Sequence, residues 1–214
     1  MKDIAIFGAG GFGREVACLI ELINKGKPTW NIIGFFDDNV ALRGTKNEYG
    51  TILGGIEQLN EYEKKLAIAI AVGNPTAVKK IVGNIHNENI WYPNLFAPST
   101  LFLDKNNIKF GHGNIVCSQC IFSCNINIGN FNIFNGLITV GHDATIGSYN
   151  SFMPAVRISG EVKIGEVNFF GCSSFVLQQV KIGDNTTIGV NSAVLRKTKD
   201  GCTYIGNPAV KVNF

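Results

Sequence analysis

Charge is scarce in this 214-residue sequence. Only 16% of the residues are Asp, Glu, Lys or Arg, and the formal net charge is +3. No Lys- or Arg-rich run occurs, which argues against nucleic acid as a partner. Histidine is rarer still, with only His86, His112 and His142, so chemistry that needs an imidazole has three candidates. No stretch of about eighteen apolar residues exists, and no membrane span is expected. The apolar run in Met1–Phe7 is too short for a signal peptide, and Gly8-Ala-Gly-Gly follows at once. It reads as a buried strand, and the cytoplasm is the expected compartment. A hydrophobic content of 45% nevertheless excludes a disordered chain, and the length allows two modest domains with real cores.

The six cysteines are Cys18, Cys117, Cys120, Cys124, Cys172 and Cys202. Cys117, Cys120 and Cys124 lie close enough to suggest a metal, but no second Cys/His pair at zinc spacing accompanies them. In the repeat frame described next they occupy different positions and point different ways. They are expected to be reduced core or corner residues, with no metal and no disulfide.

What the sequence does have is a period of six. From Phe110, every sixth residue is aliphatic or aromatic: Phe110, Val116, Phe122, Ile128, Phe134, Val140, and on without a slip to Val194. Gly often follows, as at Gly111, Gly129, Gly141, Gly147, Gly165, Gly171, Gly183 and Gly189. Fixed-period self-similarity specifies architecture. Six fits a helix badly but suits a short strand followed by a corner. Glycine is expected to supply the unusual backbone angles of those corners. Three strands and three corners make a triangular coil of eighteen residues, and stacked coils bury a continuous core. The alternative, a chance apolar rhythm in an ordinary sandwich, does not explain an unbroken frame.

Hexads such as VGHDAT-IGSYNS, ISGEVK-IGEVNF and IGDNTT-IGVNSA resemble those of the hexapeptide-repeat acyltransferases. The stretch Tyr204–Lys211 resembles their G-x-P-A-K ending, with Val210 inserted before Lys211. The resemblance implies a left-handed parallel β-helix. Periodicity does not dictate that hand, which runs against the usual right-handed crossover.

The chain before the repeats has another character. Asp3–Phe7 reads as a buried strand, Gly8-Ala-Gly10-Gly11-Phe12-Gly13 as a tight turn, and Arg14–Ile23 as a helix. This is the opening of a nucleotide-binding βα unit. Its helix N-terminus offers free N–H groups and partial positive charge to a phosphate. A second strand, Ile32–Phe36, ends in Asp37-Asp38, where an acid commonly meets a ribose hydroxyl. Residues 39–55 read as an irregular connection, Glu57–Lys64 as a short helix and Leu66–Val72 as a third strand. Thr76 is expected to cap a helix running through Ile85, and Ile90–Leu95 to form a last strand. Residues 1–95 thus read as a Rossmann-like domain and residues 96–214 as the β-helix domain. Two competing accounts are a glycine turn kept only for helix packing and an NAD-dependent oxidoreductase. The latter needs a second half for the nicotinamide, and the βα pattern stops near residue 95.

Across essentially residues 3–212 the chain resembles the sialic acid O-acetyltransferase and UDP-4-amino-sugar N-acetyltransferase family of bacterial glycan biosynthesis. The matching features are Gly8–Gly13, Phe36-Asp-Asp38, Ala71-Val-Gly-Asn74, Asn135, His142-Asp143 and the hexads. The resemblance implies that Gly10, Gly11, Phe12, Gly13, Asp37, Asp38, Gly73 and Asn74 hold a sugar nucleotide, though many relatives carry His where this chain has Phe12. It implies Asn135 as a substrate contact. It implies acetyl-CoA as cosubstrate, with Ser151, Gly160, Cys172 and Val190 along its groove and Gly160 meeting the acetyl carbonyl through its backbone amide. It also implies a homotrimer.

Acetyl transfer from a thioester needs a base, donors to an oxyanion and two substrates held together. Histidine suits the first role because its reference pKa lies near neutrality. His86 reads as surface, and His112 has no acidic neighbour. His142 is followed by Asp143 at a corner, where adjacent side chains are freed from strand alternation. By its residues alone His142 reads equally well as a surface or interface histidine; the resemblance makes it the base, with Asp143 its partner. Eighteen residues on, Gly160 is expected directly over it. His112 and His142 are not separated by a multiple of eighteen, which disfavours a shared metal site. The expected activity is direct acetylation of a nucleotide-linked amino sugar. The alternatives are O-acetylation of sialic acid or a related sugar and a sugar-nucleotide-binding scaffold without catalysis.

Overall fold

The computed structural model describes residues 1–212. The chain divides into two compact units, Met1–Pro98 and Ser99–Phe214.

In the first unit the order is β1 (Lys2–Phe7), α1 (Gly11–Gly26), β2 (Trp30–Phe36), β3 (Lys46–Asn47), β4 (Gly50–Gly54), α2 (Ile56–Asn60), β5 (Leu66–Ile70), α3 (Pro75–Asn84) and β6 (Ile90–Trp91). The sheet order is β3-β4-β2-β1-β5-β6. All neighbours are parallel except the β3–β4 hairpin. β1 and β5 are nearly unbroken apolar runs because both their faces are covered.

Several boundaries differ from expectation. The supposed irregular connection contains a 3-10 turn at Val40–Leu42 and the β3–β4 hairpin, and β4 adds a strand beside β2. A glycine in β2 makes the close pairing possible: a Cβ on Gly34, whose φ is +145°, would lie 2.5 Å from the Thr51 carbonyl oxygen. The helix expected over Glu57–Lys64 ends at Asn60. There the Asn87 side chain donates to the carbonyls of Leu59 and Tyr62, a tertiary contact no local propensity reveals. Asn74 rather than Thr76 caps α3, accepting from the Ala77 N–H at 3.0 Å, with Pro75 at the first helical position. Proline favours that position and forces the residue before it to be extended. The strand expected over Ile90–Leu95 is only Ile90–Trp91, and Pro93 separates it from Leu95–Phe96.

The second unit is a left-handed parallel β-helix with three faces. From Ile108 to Val194 each strand pairs with the one eighteen residues on, whereas Leu101 pairs with Ile121 and Thr187 with Thr203 at the two ends of the stack. Ile133–Phe134, Ser151–Phe152 and Phe169–Phe170 belong to the first face. The second runs from Leu101–Phe102 through Ile121–Phe122, Thr139–Val140 and Arg157–Ile158, and the third includes Ile126–Ile128, Thr145–Ile146 and Lys163–Ile164. The stack therefore begins before Phe110, in sequence where the hexad frame is hidden. Phe134, Phe152 and Phe170 stack in its core with ring centroids 4.9 and 4.7 Å apart. Asn114, Asn132, Asn150 and Asn168 are fully buried in one corner and hydrogen-bond from coil to coil.

The corners correct one expectation in substance. Their left-handed residues are mostly not glycine. Every sixth residue from Gln119 to Asn191, including Leu137, Asp143, Tyr149 and Glu161, has φ between 50° and 64°. The hexad glycines serve close approach instead. A Cβ on Gly141 would lie 2.5 Å from the Gly160 nitrogen, and one on Gly147 2.5 Å from the Gly165 oxygen. They are small because the next coil passes over them.

Candidate active site

Two groups of side chains come forward, one in each unit. In the first, the loop between β1 and α1 is shaped by two kinds of glycine. A Cβ on Gly13 would lie 1.9 Å from the Gly8 oxygen, and one on Gly8 2.6 Å from the Ala71 oxygen, so both are required by packing. Gly10, Gly11 and Gly73 face open space. Gly10 precedes α1 without any side-chain cap, so the helix N-terminus is not closed by the chain itself. Phe12 lies half-buried in its first turn. Asp37 and Asp38 both have structural duties. Asp37 accepts from the Ala9 N–H at 2.8 Å and the Asn39 N–H at 2.9 Å, which braces the glycine loop. Asp38 accepts from the Ile56 N–H at 2.9 Å at the start of α2. They line a cleft of about 210 Å³ with Val40, Arg43, Ile56 and Gln58. A larger hollow of about 660 Å³ lies at the start of β1 beside Lys2, Lys65 and Trp91. That is the end of the parallel strands opposite the glycine loop, whereas ligands of open α/β sheets bind at the carboxyl ends.

In the second unit, His142 and Asp143 form the corner between the second and third faces. Asp143 has φ +58°, and this left-handed turn brings neighbouring side chains together. His142 Nδ1 lies 2.7 Å from Asp143 Oδ2. An ionised carboxylate only accepts, so Nδ1 carries the hydrogen and Nε2 is left with its lone pair. Both side chains are 47% exposed. The side-chain amide of Asn125, one coil below, donates to Asp143 Oδ1. That amide first, and the His142 ring after it, hold the Asp143 carboxyl below its ordinary range. Gly160 does lie over the imidazole: a Cβ there would sit 2.5 Å from His142 Nε2. Among the described residues the Gly160 N–H donates to no acceptor.

The other expected residues are distributed differently. Cys172 and Val190 occupy the corner between the first and second faces, where the Asn191 N–H donates to the Cys172 carbonyl. Asn135 begins that same corner one coil earlier than Met153. The second face separates them from His142, so a single chain does not bring these groups to its own histidine. Ser151 is only 1% exposed. The structure also adds Glu161, which the sequence analysis passed over. It sits one coil above Asp143, its N–H donating to the His142 carbonyl at 2.7 Å. Gln178 and Gln179 donate to its two carboxylate oxygens at 2.9 and 3.0 Å. The step of eighteen that finds Gly160 from His142 finds Asn125 and Glu161 from Asp143.

Cys120 is buried, which pushes its thiol up to about 11, while Cys117 and Cys124 are half-buried. Among the described residues no group of three or more His, Cys, Asp or Glu is placed to hold a metal ion, and no helix is long and apolar enough to cross a membrane.

Residues 3–85 match the family profile described as the PglD N-terminal domain. No curated protein matches the chain. Among solved structures, the acetyltransferase domain of PglB from Neisseria gonorrhoeae FA1090 in complex with acetyl coenzyme A is 27% identical, with a TM-score of 0.88, over 99% of this chain and 99% of that one. WeeI from Acinetobacter baumannii AYE is 26% identical, with a TM-score of 0.88, over 99% and 100%. PerB from Caulobacter crescentus, in complex with CoA and GDP-perosamine, shares the fold at 23% identity and a TM-score of 0.83, over 100% and 98%. Fold and likeness together define the class, an acetyltransferase built on a hexapeptide-repeat β-helix. Within it, the chain is similar to PglD-like acyltransferases: residues 3–85 match the PglD N-terminal domain, and the full-length likeness is to the PglB acetyltransferase domain.

Proposed function

We propose that this chain transfers an acetyl group from acetyl-CoA to the amino group of a nucleotide-linked amino sugar, with His142 as general base and no covalent enzyme intermediate. The observation that carries this is the corner itself: an imidazole oriented by a fixed carboxylate, its Nε2 turned to a coil narrowed to glycine. His142 Nε2 takes the proton from the amine as the nitrogen attacks the thioester carbonyl. Asp143 holds the ring and stabilises the imidazolium that forms. The Gly160 N–H is available to the developing oxyanion. Collapse of the tetrahedral intermediate breaks the carbon–sulfur bond and releases CoA as thiolate, which takes up the proton. In the first unit, the open glycine loop and α1 N-terminus suit a diphosphate, and the cleft beside Asp37 and Asp38 suits a nucleoside. The PglB domain was solved with acetyl coenzyme A, which supports the cosubstrate, and PerB, which shares the fold, was solved with CoA and GDP-perosamine.

The working form is proposed to be a homotrimer in the cytoplasm. Leu101, Ile121, Leu137, Leu177 and Leu195 are exposed along or beside the second face. That face is bounded by the His142 corner on one side and the Cys172–Val190 corner on the other. Packing it against another copy would join the two half-sites around acetyl-CoA and hide these apolar side chains. Light scattering should give three times the chain mass, and a monomer at working concentration rules the assembly out.

The activity itself is tested by following CoA release with a panel of UDP-, dTDP- and GDP-linked amino sugars and free sialic acid. Turnover with a nucleotide amino sugar is expected. Turnover with sialic acid alone would make the protein an O-acetyltransferase, and binding without turnover would make it a scaffold.

A further inference from the structure

We infer that Glu161 is a positioning residue for the reaction, a second carboxylate that tunes the basicity of the His142 corner. Asn125, Asp143, Glu161 and Gln179 occupy one column of left-handed corner positions in successive coils. The order is amide, acid, acid, amide. Each acid is gripped from its outer side: Asn125 holds Asp143, and Gln179, with Gln178, holds Glu161. The Glu161 backbone is tied to the His142 carbonyl, which fixes its place relative to the imidazole. Two carboxylates one coil apart repel, yet the amides keep both below the ordinary carboxyl range. Around His142 the neighbouring groups are Cys124 one coil below, Asp143 beside it, and Glu161 and Gln178 above. The cations on flanking strands, Arg157 and Lys163, are exposed. General-base catalysis creates a positive ring beside two held anions, and their field stabilises that charge as it forms. One carboxylate suffices to set the tautomer, so the second acts through its field.

This rests on His142 being the base, and the experiment separates the two claims. The pH dependence of kcat/KM is measured for wild type, His142→Ala, Glu161→Gln and Glu161→Asp at low and high salt. Gln fits this corner, since Gln119 and Gln179 adopt the same backbone conformation. Glu161→Gln should move the acid limb to lower pH at low salt and lower the plateau by no more than about threefold. The shift should shrink at high salt, and Glu161→Asp, which keeps the charge, should leave the limb near its wild-type position. If Glu161→Gln leaves the limb unmoved while His142→Ala is inactive, the role of Glu161 is overturned and the base stands. If His142→Ala retains activity, the base itself is wrong.

Discussion

Replacing His142 with alanine should lower kcat/KM for acetyl transfer by about 10²- to 10⁴-fold, the span that general-base catalysis by a positioned side chain contributes. The loss should fall on kcat, because the imidazole changes its interaction as the amine gives up its proton and not when the substrate binds. The melting temperature should hardly move. His142 is half exposed, among the described residues its ring bonds only Asp143, and Asp143 keeps its bond from Asn125. A surface change of this kind is worth within about 0.5 kcal/mol. CoA release and thermal unfolding measured on the same preparation check both halves. Undiminished turnover would exclude the histidine from the chemistry, and a large fall in melting temperature would show that its role is structural.

The second large effect is expected from a single methyl group on the next coil. Gly160→Ala places a Cβ 2.5 Å from His142 Nε2, 2.7 Å from Cε1 and 2.9 Å from Cδ2. The backbone can accept alanine, since Gly160 is outside the left-handed region. What must yield is the imidazole, the free end of a half-exposed side chain. The ring swings off its alignment with Asp143, and a displacement of about 1 Å at a reacting group can cost about 100-fold in rate. The expected result is a roughly hundredfold lower kcat with a folded protein. Gly141→Ala is the contrasting variant: its Cβ would meet the Gly160 nitrogen at 2.5 Å. Backbone cannot rotate away, so that substitution should unfold coils and lower the melting temperature. If Gly160→Ala is fully active, Nε2 has room that this geometry denies it and the tight ring placement is wrong.

Both effects follow from a lattice that converts sequence distance into contact. In a solenoid of eighteen-residue coils, a residue's neighbours are those eighteen before and after it. This is why Gly160 was legible over His142 from the sequence, and why Asn125 and Glu161 were equally within reach once the step was taken from Asp143. The hexads gave the β-helix because a period of six has few structural solutions. The glycine loop and distal acids likewise announced a βα unit. Roles within these elements were less legible. Asp37 and Asp38 looked like ligand contacts, and the structure also gives them the bracing of the loop and the start of α2.

The sequence by itself determined the repeat and the adjacency of His142 to an acid, because both are written in local spacing and residue type. Only the tertiary structure decided where α2 stops, which requires Asn87 to reach across to Leu59 and Tyr62. It alone decided that residues 39–55 close into a hairpin, because strand pairing depends on an available sheet edge beside β2 rather than on the apolar content of Ile52-Leu53. It also reversed the account of the corner glycines: φ above zero is tolerated by Asp143, Tyr149 and Glu161, whereas passing a coil within about 3 Å is tolerated by glycine alone. Backbone conformation is a property of one residue, but close approach is a property of two residues eighteen apart, and composition does not distinguish which of the two a glycine serves.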